Sequence, residues 1–419
     1  MFSTLRNAWK IADLRRRMLF TLGMLIIYRL GAHIPVPRIN KAAIAQLFSR
    51  GELFNFLDTI SGGALKNFSI FAMTVGPYIT ASIILQLLTV VIPKLEELAK
   101  EGEEGRKKMN QYTRYLTIGL AMLQGFATAY GLGQSGAVVN RGFVAYMLIA
   151  LTLTAGTAFL MWLGELITDK GVGNGISLLI FIGIVSRMPA DFYHVGQAVY
   201  FKSAPIWGGL LFLVLSLASV VGVIYVQEGQ RRIPVQYAKR VVGRRVYGGQ
   251  TTHIPLRVNQ AGVMPIIFAS SLLMFPQTVV QFINANWARA IEKTFRWGSW
   301  LHTVLYILLI LFFSYFYTAI QFNPMEIANN MKKHGGFIPG IRPGKPTVDY
   351  LSKVMDRITL AGAIFLCVLV VLPILLIQLT KVSTSFGSTT LLIAVGVALE
   401  TMKQIEAQVM MRHYQGFLK

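Results

Sequence analysis

Aliphatic side chains recur at helical spacing in four apolar segments of the chain. Val75 and Ile79 stand four residues apart in one segment, and a second segment repeats that spacing, so each pair occupies one face of a helix. Taken separately, each pattern is typical of ordinary helix packing. Taken together, the side chains could form a hydrophobic constriction, which excludes water and binds no particular solute. The six positions are Val75, Ile79, Ile176, Ile180, Ile267 and Ile393.

Titratable side chains that could bind ions are nearly absent from the apolar segments. Ion-coupled transporters place Asp, Glu, His or Lys inside their spans. Here Glu165 and Glu400 stand at segment ends, and Arg29 lies near an outer end from which its side chain can snorkel. The six histidines show no metal-ligand spacing. A solute carrier and a membrane-embedded enzyme are the alternative classes, and this pattern argues against both.

The glycine-rich stretches do not match nucleotide-binding motifs. In "PGIRPGKPT", Pro346 follows the Gly344-Lys345 pair where a P-loop has Ser or Thr, and Pro339 replaces the first glycine. The stretch "KGVGNGIS" lacks the glycine spacing of a dinucleotide fingerprint and predicts a turn. We therefore expect a partner to power any work that this protein performs.

Membrane-spanning helices are the elements that must position these side chains. The 419 residues are 54% hydrophobic and 14% charged, which is typical of a chain built mostly of bilayer-spanning helices. The single cysteine, Cys367, lies in an apolar run, so no disulfide forms within the chain. Two runs, 175–189 and 389–402, are short enough to be re-entrant segments instead of spans. With these two, the candidate spans are 18–34, 74–92, 115–132, 143–166, 175–189, 207–226, 262–282, 303–322, 358–379 and 389–402.

The distribution of Lys and Arg favours ten spans with both termini in the cytoplasm. With that topology, 28 basic residues lie in interior loops and 11 lie outside. Lys and Arg concentrate in cytoplasmic loops. If 175–189 did not span, the basic stretch "QEGQRRIPVQYAKRVVGRRV" would be exported.

Ten spans divide into two groups of five, residues 1–190 and 191–419. Because five is odd, related halves must be inverted in the membrane. The irregularities agree with such a repeat, since "TVGPYI" interrupts the second span, "AGVMPII" interrupts the seventh, and the fifth and tenth are short. Spans two, five, seven and ten should therefore surround a mid-membrane site. Coincidence is the alternative, because Gly and Pro are common in membrane helices.

Long strings along nearly the whole chain resemble the SecY family of bacterial protein-translocation channels. They include "SGGALKNFSIFAMTVGPYITASIILQLLTVV", "EGEEGRKKMNQYTRY", "FLMWLGELITDKGVGNGISLLIF", "EGQRRIPVQYAKR" and "FNPMEIANNMKKHGGFIPGIRPGKPT". The resemblance implies an all-α integral membrane protein of the cytoplasmic membrane, with ten helices in two inverted five-helix halves that form an hourglass pore. It implies a channel for unfolded secretory polypeptides, without enzymatic activity or a cofactor. Signal and transmembrane helices would leave the channel laterally into lipid.

The resemblance also assigns roles within the pore. The six aliphatic positions named above correspond to the family's pore ring. Residues of about 57–72 correspond to the plug, a short helix that sits on the outer side of the ring and moves when substrate enters. Thr80 and Phe275 occupy the lateral gate between spans two and seven. The plug residues that match the family motif are Ser61, Gly62, Gly63, Ala64 and Leu65.

The two large basic loops, 227–261 and 323–357, are the expected docking sites. Their Gly and Pro content predicts shaped loops, although such loops could also simply touch anionic lipid. The resemblance implies the partners SecE and SecG, the motor ATPase SecA, the ribosome, the unfolded preprotein with its signal peptide, and membrane lipids. Met325 departs from the family pattern, since some relatives carry Arg there. The matching docking residues are Arg342, Lys239, Arg240, Arg244, Arg245, Arg257, Lys332 and Lys333.

Overall fold

Helices dominate the part of the chain that the structure describes. The computed structural model describes residues 2–40, 43–44, 58, 61–134, 136–201, 205–237, 240–242, 245–247, 251–280, 299–380 and 388–416. The helices in these residues are α1 (Phe2–Lys10), α2 (Ala12–Gly31), α3 (Gly76–Val91), α4 (Pro93–Lys100), α5 (Glu103–Gln134), α6 (Phe143–Lys170), α7 (Gly175–Tyr200), α8 (Ile206–Glu228), α9 (Met264–Val280), α10 (Trp300–Gln321), α11 (Pro324–Lys333), α12 (Lys345–Thr380) and α13 (Ser388–Gly416).

Each of the ten predicted runs lies on one of these helices. Six helical segments of the described chain are long and apolar enough to cross a membrane, or seven if α3 and α4 form one broken span. Those two helices meet at an angle of 104°, where Pro93 begins α4 and Ile92 is extended. Proline favours such a bend because its ring cannot continue the preceding helix.

The fifth and tenth runs belong to longer helices than their apolar lengths predicted. Helix α7 has 26 residues and continues past Pro189, and α13 has 29 residues. The apolar runs are short but the helices that contain them are not, and α7 is long and apolar enough to cross a membrane. Each apolar run is extended by a polar stretch, because helix length depends on backbone hydrogen bonds and not only on hydropathy.

Strands in the described parts of the two large basic loops correct the all-α expectation. They are β1 (Gln230–Tyr237), β2 (Arg240–Val242), β3 (Arg245–Tyr247), β4 (Thr251–Arg257) and β5 (Gly336–Phe337). Antiparallel β1 and β4 pair from Gln230 with Arg257 to Gln236 with Thr251, and β5 adds to the other edge of β1. The alternation of buried Ile233 and Val235 with exposed neighbours produces this sheet.

Two apolar clusters form the core of the membrane region. One is built from α2, α6, α7 and α13 together with residues 64–75. The other is built from α8, α9, α10, α12 and the part of α3 around Ile83. Ile79, Val263 and Ile267 pack against both clusters. The clusters therefore meet where α3 lies beside α9.

Candidate functional site

The six aliphatic side chains of the predicted pore ring lie in one apolar cluster. Val75, Ile180 and Ile393 are buried members of it, with 3%, 7% and 6% of their surfaces exposed. The remaining three, Ile79, Ile176 and Ile267, are partly buried and pack against it. The structure thus brings together residues that are as much as 318 positions apart in the sequence, between Val75 and Ile393. Since all six side chains are hydrocarbon, the cluster offers water and ions no polar partner.

The start of α3 aligns Val75 with Ile79. Val75 is the N-cap residue of α3, its carbonyl accepts a 3.0 Å hydrogen bond from the Ile79 N–H, and Pro77 lies in the first turn. Proline is favoured there because its missing N–H would be unpaired at a helix start in any case. The two ring side chains are consequently held on one face, one turn apart.

A close approach between α6 and α7 positions Ile176 and Ile180, the next pair of ring residues. The Asn174 side chain caps α7 by accepting a 3.2 Å hydrogen bond from the Ser177 N–H. A Cβ atom added to Gly175 would lie 1.9 Å from the Gly164 carbonyl oxygen. Only glycine permits this contact, which sets the start of α7, and therefore Ile176, against α6.

The predicted plug, residues 57–72, lies against the ring cluster, and we call it the plug segment. Residues 57, 59 and 60 lie outside the described residues. Ala64 is fully buried within the ring cluster, whereas Leu65 packs against a neighbouring cluster that contains Phe68. The plug segment therefore contributes Ala64 to the apolar cluster in which the six aliphatic side chains lie.

From Ser61 onward the plug segment is not the short helix that the resemblance implied, although Asp58 is helical. Residues 61–75 form successive turns. Gly62 and Gly63 have φ values of 63° and 89°, and Phe68 has a φ of 41°. These left-handed values interrupt a right-handed helix, and glycine adopts them without steric cost.

Polar contacts attach the plug segment to α2. Arg29 Nη1 donates to the Gly62 carbonyl at 2.8 Å, and the Tyr28 hydroxyl donates to the Ser61 carbonyl at 3.3 Å. Ser61 itself is buried, and its hydroxyl donates to the Asp58 carbonyl at 3.0 Å. These bonds pair buried carbonyl groups of the plug segment with side-chain donors.

An ion pair missed by the sequence analysis attaches the plug segment to α7. Arg187 Nη1 donates to Asp58 Oδ2, and the Asp58 side chain is fully buried. Burial raises the pKa of the Asp58 carboxyl, and the Arg187 charge and the hydrogen bond from the Lys66 N–H oppose that rise. Arg187, at the end of the apolar run 175–189, was the sequence signal for this ion pair, because a charged side chain in a membrane span usually pairs with another polar group.

The helices of the predicted lateral gate, α3 and α9, pack side by side. Thr80 is half-buried on α3, and its hydroxyl donates to the Gly76 carbonyl of the same helix at 3.2 Å. Phe275 lies on α9, but its side chain is outside the described residues. Across this boundary, Ile83 of α3 shares a cluster with Ile266 and Leu273 of α9. The contacts that the described side chains make across this boundary are apolar.

The two predicted docking loops form one structural unit. Strand β5 of the second loop pairs with β1 of the first, and their buried side chains share a core with α12 that includes Ile233, Ile338 and Leu351. The Thr347 hydroxyl donates to the Arg342 carbonyl at 2.9 Å and holds the turn before α12. We call this unit, strands β1, β4 and β5 with residues 338–355, the docking platform.

Most described docking residues present their charge to solvent. Met325, the position that departs from the family pattern, is also exposed. Lys239 and Arg244 lie outside the described residues, and of Arg240 and Arg245 only the backbone, on β2 and β3, is described. The exposed basic side chains are Arg257, Lys332, Lys333 and Arg342.

Comparisons with known proteins agree with this geometry. The SecY family model matches residues 69–402. The protein translocase subunit SecY of Streptomyces scabiei is 48% identical over 439 residues, with 100% of both chains covered. A solved structure described as "The structure of a protein conducting channel" has a TM-score of 0.64 at 17% identity, covering 93% of this chain and 91% of that one. Sec61 in the canine ribosome-channel complex has a TM-score of 0.61 at 17% identity, with the same coverage.

The sequence relatives carry the assignment, and the two structures support the fold. The family match includes α3, α6, α7, α9 and most of α13, the helices that carry the ring residues or pack against them. The multi-span apolar helices agree with a channel embedded in a membrane. The chain therefore belongs to the SecY family and is a protein translocase subunit that forms a protein-conducting channel.

Proposed function

We propose that unfolded polypeptides cross the membrane through the ring of Val75, Ile79, Ile176, Ile180, Ile267 and Ile393. The observation that carries this proposal is the meeting of these side chains in one apolar cluster, to which the plug segment contributes Ala64. Hydrocarbon side chains exclude ions by dewetting when they meet, and they can pack around any extended chain without requiring a particular sequence. The ring acts as a gasket in this mechanism and makes no covalent bond.

The pore lies between two inverted five-helix halves, residues 1–190 and 191–419, that together form an hourglass. Support comes from the ten predicted runs, all of which lie on helices, and from Ile79 and Ile267, which pack against both apolar clusters. Both termini are cytoplasmic, as the excess of basic residues in interior loops favours. The membrane is the bacterial cytoplasmic membrane, by analogy with the relatives.

The plug segment closes the resting pore, and α3 separates from α9 to release apolar helices. Signal peptides and transmembrane helices enter lipid at this boundary, beside Thr80 and Phe275. Its apolar character supports this role, since an apolar signal helix can replace each contact that it separates. The lipid itself is therefore a partner of the open gate.

Binding energy and force come from partners on the cytoplasmic side. SecA docks on the platform and pushes the chain by ATP hydrolysis, and the translating ribosome uses the same surface for membrane proteins. The exposed charges of Arg257, Lys332, Lys333 and Arg342, within an overall charge of +22, suit acidic protein and RNA surfaces. SecE and SecG complete a heterotrimer with the chain.

Transport by purified components tests this proposal. Vesicles would contain the chain with SecE and SecG, and an unfolded precursor with a signal sequence would be added with or without SecA and ATP. We expect protease-protected precursor only when SecA and ATP are both present. Absence of protection, with SecA and both small subunits demonstrably bound, would refute the motor-driven mechanism.

A further inference from the structure

The Arg187–Asp58 ion pair lies at the contact between the plug segment and α7. Asp58 organises its own turn, because its Oδ1 accepts a 2.7 Å hydrogen bond from the Lys66 N–H and its carbonyl accepts a 3.0 Å bond from the Gly63 N–H. Its other carboxylate oxygen accepts the bond from Arg187. One fully buried side chain thus joins the internal structure of the plug segment to a transmembrane helix.

Helix α7 presents the ring and the plug contact on the same face. Ile176, Ile180, Gly183 and Arg187 are spaced by four, three and four residues, so they lie within one stripe of the helix. Arg187 is about 10 Å farther along the helix axis than Ile180. A rigid displacement of α7 that moves its ring side chains outward must therefore also move Arg187.

Backbone contact reinforces this link. A Cβ atom on Gly62, whose φ is 63°, would lie 2.8 Å from the Cα atom of Gly183. The plug segment therefore rests directly on the backbone of α7 beside the ion pair. On its other side, the Gly62 carbonyl accepts the bond from Arg29 of α2.

We propose that Arg187 and Asp58 form a latch that couples the plug segment to ring dilation and sets how strongly a substrate must act to open the channel. The proposal rests on the pore function proposed above. When a polypeptide pushes Ile176 and Ile180 outward, α7 withdraws Arg187 from Asp58. The pair thereby determines specificity, since weak signal sequences fail to separate it.

The charges of the pair predict unequal effects of the two single substitutions. Removing Arg187 leaves the carboxylate of Asp58 buried without its cation, which is the costly way to break a buried pair. Removing both charges eliminates that penalty. The substitution Asp58→Asn also retains a side-chain oxygen that can accept from the Lys66 N–H, so the turn around this position would keep that hydrogen bond. The double variant should therefore close better than the single Arg187 variant.

Resting ion conductance of the assembled channel in planar bilayers measures this effect. The variants are R187Q, D58N and the double variant D58N/R187Q, with R187K as the variant that keeps the charge. We expect R187Q to raise resting conductance about tenfold, and the double variant, which lacks the latch but does not carry the penalty of a buried unpaired charge, to conduct about threefold more than the parent protein. R187K should remain near the parent, and export of a precursor with a weakened signal should rise in parallel with conductance.

Two controls separate the latch from general damage. R141Q removes an exposed cation outside the plug segment and should change neither readout. SecA-driven transport of a normal precursor by the parent protein shows in the same vesicles that the pore function stands. If that transport occurs while R187Q conducts like the parent, the latch is wrong.

The double variant provides the decisive comparison. A leak in D58N/R187Q equal to the product of the two single effects would show that the residues act independently, which overturns the latch. If R187Q does not accumulate, the resting conductance of D58N is compared with that of D58N/R187Q. The proposal requires that the double variant conducts no more than D58N. A higher conductance in D58N/R187Q than in D58N would contradict the proposal.

Discussion

Replacing Ile180 by serine perturbs the predicted ring at one of its buried positions. Ile180 is 7% exposed within the apolar cluster that also contains Val75 and Ile393. The substitution removes buried hydrocarbon and introduces a hydroxyl group. Truncating a buried isoleucine costs about 2–5 kcal/mol, and an unpaired hydroxyl adds about 1–3 kcal/mol in proteins.

Only the part of this cost that disappears when the pore opens changes the closed–open equilibrium. Taking the lower limit of about 2 kcal/mol for that part, the I180S variant should favour the open, hydrated pore about 30-fold more than the parent does. Ile180→Val removes a single methylene, costs about 0.5–1.5 kcal/mol, and should shift the same equilibrium only about 2- to 12-fold.

Resting conductance in planar bilayers and export of a weak-signal precursor are the assays. I405S is the matched control, because Ile405 is buried on α13 in a cluster that contains neither ring residues nor plug-segment residues. It should lower thermal stability without increasing conductance. Equal conductance in I180S and the parent, or equal increases in I180S and I405S, would refute the assignment of Ile180 to the ring.

The remaining predictions concern the docking platform and the α6–α7 contact. R342E should abolish SecA-driven transport. Its melting temperature should stay unchanged because Arg342 is exposed. K345E reverses a nearby exposed charge and should weaken transport less, so equal loss in the two variants would contradict a specific role for Arg342. G175A should prevent assembly or raise conductance, because its Cβ would meet the Gly164 carbonyl oxygen at 1.9 Å, whereas G119A, with nothing within 4 Å, should be tolerated in size-exclusion and leak assays. Normal behaviour of G175A would show that α7 can shift without affecting the ring.

Several features of the channel followed from local sequence alone. The run lengths predicted membrane spans because a span needs about 20 apolar residues whatever its neighbours are, and six or seven helical segments of the described chain meet that requirement. The loop charges favoured an orientation because Lys and Arg act on topology through their number and position. The aliphatic ring candidates followed from residue type and helical spacing. The long strings indicated the SecY family, and the family-model match over residues 69–402 confirmed it.

Other features depended on which segments meet in three dimensions. The sequence analysis missed the sheet, because β5 pairs with β1 across about 100 residues and its two-residue length carries no periodic signal. Helices α7 and α13 extend beyond their apolar runs, and the plug segment adopts turns because of left-handed residues such as Phe68, whose φ value its side chain does not predict.

The contact between Asp58 and Arg187 shows the same division most clearly. Arg187 by itself is an ordinary charge near the end of an apolar run, Asp58 is a charge between two runs, and 129 positions separate them. The apolar periodicity of α7 determined which face is buried. Only the packing of the plug segment against Gly183 determined that Arg187 on this face pairs with Asp58. Hydropathy and charge patterns are local properties of a chain, whereas burial of a particular ion pair is a property of the assembled helices.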